Sequence, residues 1–358
     1  MRLTQMSKSS GCGCKIAPAL LDEILRYRHE SDQHPSQFPN LVVGNQSNDD
    51  AAAYDLQNGE YLLSTTDFFT PIVDNPFHFG QIAAANALSD IYAMGGKPIM
   101  ALAILGWNTD QLSTQTASEV LLGARAICSQ AGIPLAGGHS INSTEPIFGL
   151  SVNGLLKANE LKRNNTAKVG DVLFVTKPLG VGIMATALKR EKLKPEDYQQ
   201  LIDTTTMLNT IGLELAKKQY VTAMTDVTGF GLLGHLIEMC ENNKNIENPI
   251  QNMAAQLNNA DVPLLDGLHF YTSQYILPDN TYRNWNGYGH KVSGIEGVEF
   301  MTLCDPQTSG GLLVAIASQH VGDYIALCKA HNLPECASKP IGKMIEGNAQ
   351  TKVFVVNQ

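Results

Sequence analysis

Two thiols and a lysine stand together at Gly11-Cys12-Gly13-Cys14-Lys15. A neighbouring ammonium lowers a thiol's pKa, and the thiolate is the species that attacks or binds soft atoms. The glycines beside Cys12 remove bulk, so its sulfur could approach a substrate closely. The tract also reads as a stray oxidisable pair or half of a zinc site, because reactivity depends on surroundings. Carboxylates form a second set. Asp49-Asp50 precede a strand-like segment, Asp67 follows Ser64-Thr65-Thr66, and Asp226 ends a strand before a glycine turn. Asn86 and Asp90 are four apart on one predicted helix, hence on one face. Magnesium prefers oxygen ligands and is usually held by one or two carboxylates plus phosphate oxygens. Taken singly, an Asp at a strand end is more often a turn former or a helix N-cap. Asp90 resists that reading, since a carboxylate on an otherwise apolar helix face needs a partner or a metal.

Gly137-Gly138-His139-Ser140 follows a short strand and reads as a glycine loop. Its N–H groups could cradle phosphate or ribose oxygens; the bland reading is turn punctuation. His139 is a candidate base or a hydrogen-bonded loop histidine. The chain has neither a P-loop nor a dinucleotide fingerprint, so any nucleotide binding uses another design. Cys128 and Cys240 fall in apolar helical patterns and read as inert core residues, while Cys304, beside Asp305, is undecided.

The chain has 358 residues, which favours two domains over one core. A hydrophobic fraction of 44% and a charged fraction of 16% are ordinary for a globular protein. A net charge of −9 argues against a broad nucleic-acid surface. Seven scattered cysteines do not form a disulfide framework. The polar first ten residues lack a secretory h-region, and no apolar run approaches the ~20 residues of a membrane span. The expected compartment is the reducing cytoplasm.

The elements that must position these groups alternate. Residues 1–15 read as a flexible arm, and Ile16 to Arg28 has a helical apolar spacing. Strands are expected over 51–56, 61–66, 98–105, 133–136, 147–156, 171–176, 222–225 and 312–316. Helices are expected over 79–94, 114–131, 182–189 and 230–241, the first stopping at Gly95-Gly96. Residues 242–260 read as Asn-rich and irregular. This alternation implies mixed α/β domains, with a change of unit near 157–170.

Taken together, the motifs resemble the selenophosphate synthetase (selenide, water dikinase) family of the aminoimidazole ribonucleotide synthetase-like superfamily. They are the Cys tract at 11–15, Val43-Gly44-Asn45 with Asp49-Asp50-Ala51-Ala52, the runs at 64–69 and 72–77, and Ala87 to Pro98. They continue with Ala136 to Ser140, Thr225 to His235 and Asp305 to Gly311. The resemblance implies a two-domain α/β fold with mixed sheets and a flexible glycine-rich arm. It implies an arm at 1–15, a magnesium- and ATP-binding, dimer-forming domain over 16–157 and a second α/β domain over 158–358. ATP, selenide and water would yield selenophosphate, AMP and orthophosphate, supplying selenium for selenocysteine and selenouridine.

By the same resemblance Cys12 is the catalytic thiol and Lys15 the essential lysine. Asp50, Asp90 and Asp226 are Mg²⁺ ligands. Lys15, Ser47, Asn48, Asp49, Asp67, Asp90, Gly138, His139 and Ser140 contact the nucleotide. Ser47-Asn48 replaces the Thr-Arg more usual in the family. K⁺ is a further implied ion, and a homodimer and a selenium-delivery protein are implied partners. The competing readings are a thiamine-phosphate kinase or an aminoimidazole ribonucleotide synthetase, neither of which calls for the Cys tract. A non-catalytic selenium or metal carrier would not need carboxylates on several elements.

Overall fold

The computed structural model describes residues 2–7, 11, 20, 24, 38–44, 49–241 and 252–357. Cys12, Cys14, Lys15, Ser47 and Asn48 lie outside them. So does most of the helix expected over 16–28, of which Leu20 and Ile24 are described, both helical and exposed.

The first sheet contains β1 (Leu41–Val43), β2 (Ala52–Asp55), β3 (Glu60–Phe69), β4 (Lys97–Trp107), β5 (Leu135–Asn142) and β6 (Ile147–Lys157), in the order β1-β2-β3-β6-β4-β5. The second contains β7 (Val172–Val175), β8 (Val221–Asp226), β9 (Met253–Asn258), β10 (Val292–Ser293), β11 (Leu312–Ile316), β12 (Gly342–Glu346) and β13 (Val353–Val356), in the order β10-β13-β9-β12-β7-β11-β8. Both mix parallel and antiparallel pairs. The longer helices are α1 (Pro76–Ala93), α2 (Thr114–Gln130), α3 (Val181–Lys189), α4 (Pro195–Thr206), α5 (Gly231–Glu241), α6 (Asp279–Tyr288) and α7 (Val321–Ala330). The parallel pair β4 and β5 requires a crossover, which α2 provides.

Helix α1 positions the site. It touches β3 and β6 of the first sheet and β8 of the second. A helix enclosed from several sides is apolar nearly all round, and α1 is buried from Ile82 through Ala93. Asn75 caps it, its side chain accepting from the His78 N–H at 3.0 Å, with Pro76 in the first turn. That cap starts the helix three residues before the expected Phe79. Gly95, at φ +85, ends it by donating to the Tyr92 carbonyl.

The structure departs from expectation in three places. Residues 137–140 are not a loop but part of β5, at the edge of the sheet. Their glycines serve close approach, since a Cβ on Gly138 would lie 2.1 Å from the Ala103 oxygen of β4. Within 242–260, Met253–Asn258 is an interior strand, paired with both β12 and β13. Its two alanines are poor strand formers, so the pairing is set by its neighbours. Residues 2–7, expected to belong to a flexible arm, are docked: Leu3–Met6 is a 3₁₀ turn with Leu3 and Thr4 buried. Asp74 accepts from the Thr4 N–H at 2.9 Å and from Arg2 Nε at 2.7 Å, and Arg2 Nη2 donates to the Leu188 carbonyl at 2.7 Å. The turn therefore ties α3 to the segment before α1.

Two glycines let α1 and α2 cross closely. A Cβ on Gly80 would lie 1.8 Å from the Val120 oxygen, and one on Gly123 would lie 1.9 Å from the Phe77 oxygen. Gly80→Ala or Gly123→Ala should each destabilise the chain by about 1–3 kcal/mol. Urea unfolding checks this, and wild-type midpoints in both variants would contradict it.

Candidate active site

Asp50 lies just before β2, Asp90 on α1 and Asp226 at the end of β8. They come from both sheets, and they converge. The Asp50 carboxyl accepts from Thr225 Oγ1 of β8 at 2.9 Å. The Asp90 carboxyl accepts from Thr65 Oγ1 of β3 at 2.6 Å. Asp50 is half-buried. Burial pushes its carboxyl well above its usual range, and the charges of Asp226 and then Asp90 push it further. Thr225 partly opposes the shift. Asp49 accepts from the Asn164 N–H at 3.1 Å, joining the Asp pair to the segment between the sheets. Asp67 lies on β3, two residues beyond Thr65 and on the same face, about 7 Å along the strand.

Among the described residues, no three His, Cys, Asp or Glu side chains are already close enough to make a ligand set. The carboxylates feel one another's charge without sharing a point. Hard cations with their own waters or phosphate oxygens fit that spacing better than one tightly caged ion does. The donor set, oxygen only and acidic, suits Mg²⁺.

Gly138, His139 and Ser140 are not brought to this cluster within one chain. They are exposed on edge strand β5, with β4 and β6 between them and β3. Three strand spacings place them about 14 Å from β3 across the sheet. The Cys tract is represented by Gly11. Its N–H donates to the Thr70 carbonyl at 3.1 Å. A Cβ there would lie 2.6 Å from Thr308 Oγ1 and 3.1 Å from Ile72 Cδ1. The tract thus begins at a fixed point between the two halves.

The loop Asp305-Pro306-Gln307-Thr308-Ser309-Gly310-Gly311 holds other parts in place. Gln307 Oε1 accepts from the Gly180 and Val181 N–H groups, and Asp305 Oδ2 accepts from Gly182 N–H, so the loop caps α3. Burial pushes the Asp305 carboxyl up to about 8. The Ser309 N–H donates to Asn86 Oδ1 of α1 at 2.7 Å, one turn from Asp90. His235 closes the turn after Asp226 by accepting from the Thr228 N–H at 3.0 Å. Cys128, Cys240 and Cys304 are buried, their thiols pushed up to about 11, 12 and 12, as inert core groups should be.

Lys177 is a residue the motifs did not single out. It follows β7 and is 0% exposed. Its Nζ donates to the Met207 carbonyl at 2.6 Å and the Ser309 carbonyl at 2.8 Å. Burial lowers its pKa to about 7, against a smaller opposing pull from Asp226. A lysine in a Pro-Gly turn straight after an apolar strand was the available signal.

The two halves of the chain match a known pair of domains. Residues 48–156 match "AIR synthase related protein, N-terminal domain", and residues 168–354 match "AIR synthase related protein, C-terminal domain". A curated protein named selenide, water dikinase, from Colwellia psychrerythraea, is 50% identical over 351 residues, covering 98% of each chain. One of the same name from Photorhabdus laumondii is 48% identical over 358 residues, covering 100% of this chain and 99% of its own. Among solved structures, hydrogenase maturation protein HypE in complex with ATP superposes with a TM-score of 0.64 at 16% identity, covering 91% of this chain and 89% of its own. That likeness is one of fold.

Lys177 makes stability pH-dependent. Its folded value near 7 lies below its ordinary value of 10.5, so the unfolded chain holds an extra proton between them. Stability from this group therefore rises with pH from about 7 towards 10. In urea unfolding at pH 7 and 9.5, wild type should gain stability, and Lys177→Met should show a smaller slope. An equal slope in both would contradict the assignment.

Proposed function

The chain belongs to the selenide, water dikinase family of AIR synthase-related proteins, and from that premise we propose how its residues divide the reaction. The reaction is ATP-dependent synthesis of selenophosphate from selenide and water, with release of AMP and orthophosphate. The observation that carries the division of roles is the convergence of Asp50, Asp90 and Asp226 from three elements and both sheets.

Asp50, Asp90 and Asp226 hold Mg²⁺. Bound Mg²⁺ would neutralise charge on the transferring phosphoryl group, the main demand of this chemistry. Asp49 and Asp67 flank the same space, and together with Ser47 and Asn48 they are assigned to orienting the nucleotide, with K⁺ as an accessory ion. Lys15 meets developing phosphate charge. Cys12 is the residue assigned to handling the selenide, without a covalent step being specified. In this reading the Cys12-Gly13-Cys14-Lys15 tract excludes water from the first transfer and admits it for the second.

The chain works as a homodimer. Edge strand β5 is exposed from Ala136 to Asn142; Ile141 on it is 55% exposed, and Leu102 on neighbouring β4 is 38% exposed. Pairing of two such faces buries this apolar surface and carries Gly138, His139 and Ser140 to the partner's nucleotide. The 16–157 unit supplies the dimer and metal functions, and the 158–358 unit completes the site. No helix among the described residues is long and apolar enough to cross a membrane. The proposed setting is the reducing cytoplasm, where a selenium-delivery protein could serve the arm.

An anaerobic phosphorus NMR assay with ATP, Mg²⁺ and selenide tests these roles. Wild type should form selenophosphate and AMP. Cys12→Ser, Lys15→Ala and Asp226→Asn should each lose about a hundredfold or more in rate, the scale of removing one transition-state charge partner. Mixing inactive Asp226→Asn and His139→Ala chains should restore part of the activity if sites span two chains. Undiminished Cys12→Ser activity would remove the arm's role, and failure of the mixture to recover would remove the shared site.

A further inference from the structure

Five described residues other than glycine have a left-handed backbone: Gln57, Glu191, Tyr275, Ser309 and Asn332. Four of them are exposed, whereas Ser309, at φ +53, is 0% exposed. Such a conformation is strained, persists where the surroundings over-determine it, and gathers at functional sites. Here three bonds on two consecutive residues do the holding. The Ser309 N–H donates to Asn86 Oδ1 of α1 at 2.7 Å, and the Ser309 carbonyl accepts from Lys177 Nζ at 2.8 Å. The Gly310 carbonyl accepts from Asn209 Nδ2 at 2.9 Å, and the same Nδ2 donates to Ser89 Oγ of α1 at 2.8 Å.

The side chain adds a second cost. Among the described residues, the buried Ser309 hydroxyl has no hydrogen-bond partner. Glycine would relieve both costs, and glycine fills the next two positions for reasons of contact. A Cβ on Gly310 would lie 2.0 Å from the Val227 oxygen, and one on Gly311 would lie 2.3 Å from the Lys177 backbone nitrogen. Position 309 therefore keeps a Cβ that stability alone disfavours. What the Cβ adds is stiffness, because three glycines in a row would let the loop vary its path. The loop has something to hold on each side. Asn86 and Ser89 lie within one turn of Asp90 on α1, and Thr308 packs against Gly11 at the root of the Cys tract.

We propose that Ser309 is a positioning residue for the reaction. Its strained backbone sets the spacing between the turn of α1 that carries Asp90 and the root of the Cys tract. It acts through Asn86 and Thr308 and not on a substrate. The proposal rests on the roles assigned above to Asp90 and the tract.

The test compares full-length wild type, Ser309→Gly and Ser309→Ala. Ser309→Gly should melt above wild type, since relief of strain and of an unpaired hydroxyl outweighs the added chain entropy of glycine. Its kcat for selenophosphate formation should nevertheless fall about fivefold or more, with KM for ATP within about twofold of wild type. Ser309→Ala keeps the Cβ and should keep kcat within about twofold. Without nucleotide, the Mg²⁺ concentration that gives half of the thermal stabilisation should rise about threefold in Ser309→Gly and stay put in Ser309→Ala. Wild-type kcat in Ser309→Gly, or a lower kcat together with a lower melting point, overturns the proposal. So does an equal loss in Ser309→Ala, which would assign the hydroxyl itself. If wild type makes no selenophosphate, the functional reading falls, and the Mg²⁺ midpoints still decide: equal midpoints in wild type and Ser309→Gly, or no Mg²⁺ response, overturn the positioning role.

Discussion

Asp50, Asp90 and Asp226 are brought close enough, and far enough from water, that the Asp50 carboxyl is pushed well above its usual range. Like charges in a desolvated space oppose folding unless something offsets them. Hydroxyl donors do part of this work. Thr225 donates to Asp50 and Thr65 to Asp90, and each hydroxyl comes from a strand adjoining the carboxylate it serves. The rest is relieved by a proton on Asp50, which its raised pKa favours, or by the cations proposed above.

The scaffold keeps these carboxylates from relaxing apart. Helix α1 is gripped by both sheets and by α2, so Asp90 cannot swing away. Asp226 ends a strand fixed opposite Leu312, and the turn beyond it is closed by His235. The 305–311 loop is locked to α3 through Gln307 and to α1 through Asn86, with buried Lys177 bracing it against Met207. The same loop supports Gly11, so the root of the Cys tract and the carboxylate cluster share one rigid reference.

Much of this was legible in the residues. Strong apolar periodicity located α1, α2 and strands β4, β6 and β11 to within a few positions, because burial sets both pattern and structure there. Asp90 was read correctly as a polar intruder on an apolar face. Local signals failed where tertiary contacts decide. Gly137 and Gly138 carry the signature of a loop, yet they are glycine because β4 runs too close for a Cβ. Met253 to Asn258 has little strand propensity and is a strand because β12 and β13 flank it. Arg2 to Gln5 looks like a polar tail, and its order depends on Asp74 and α3, remote in sequence. Lys177 resembles a solvated turn lysine until the loop closes over it.

The most direct measurement of the account is unfolding stability against Mg²⁺ concentration, without nucleotide. Wild type should gain about 2.7 kcal/mol when Mg²⁺ reaches a hundred times its Kd. Asp50→Asn, Asp90→Asn and Asp226→Asn should lose most of that gain, and without metal Asp50→Asn should be more stable than wild type at neutral pH. Equal stabilisation of wild type and all three variants, or none in wild type, would contradict a metal-binding carboxylate cluster.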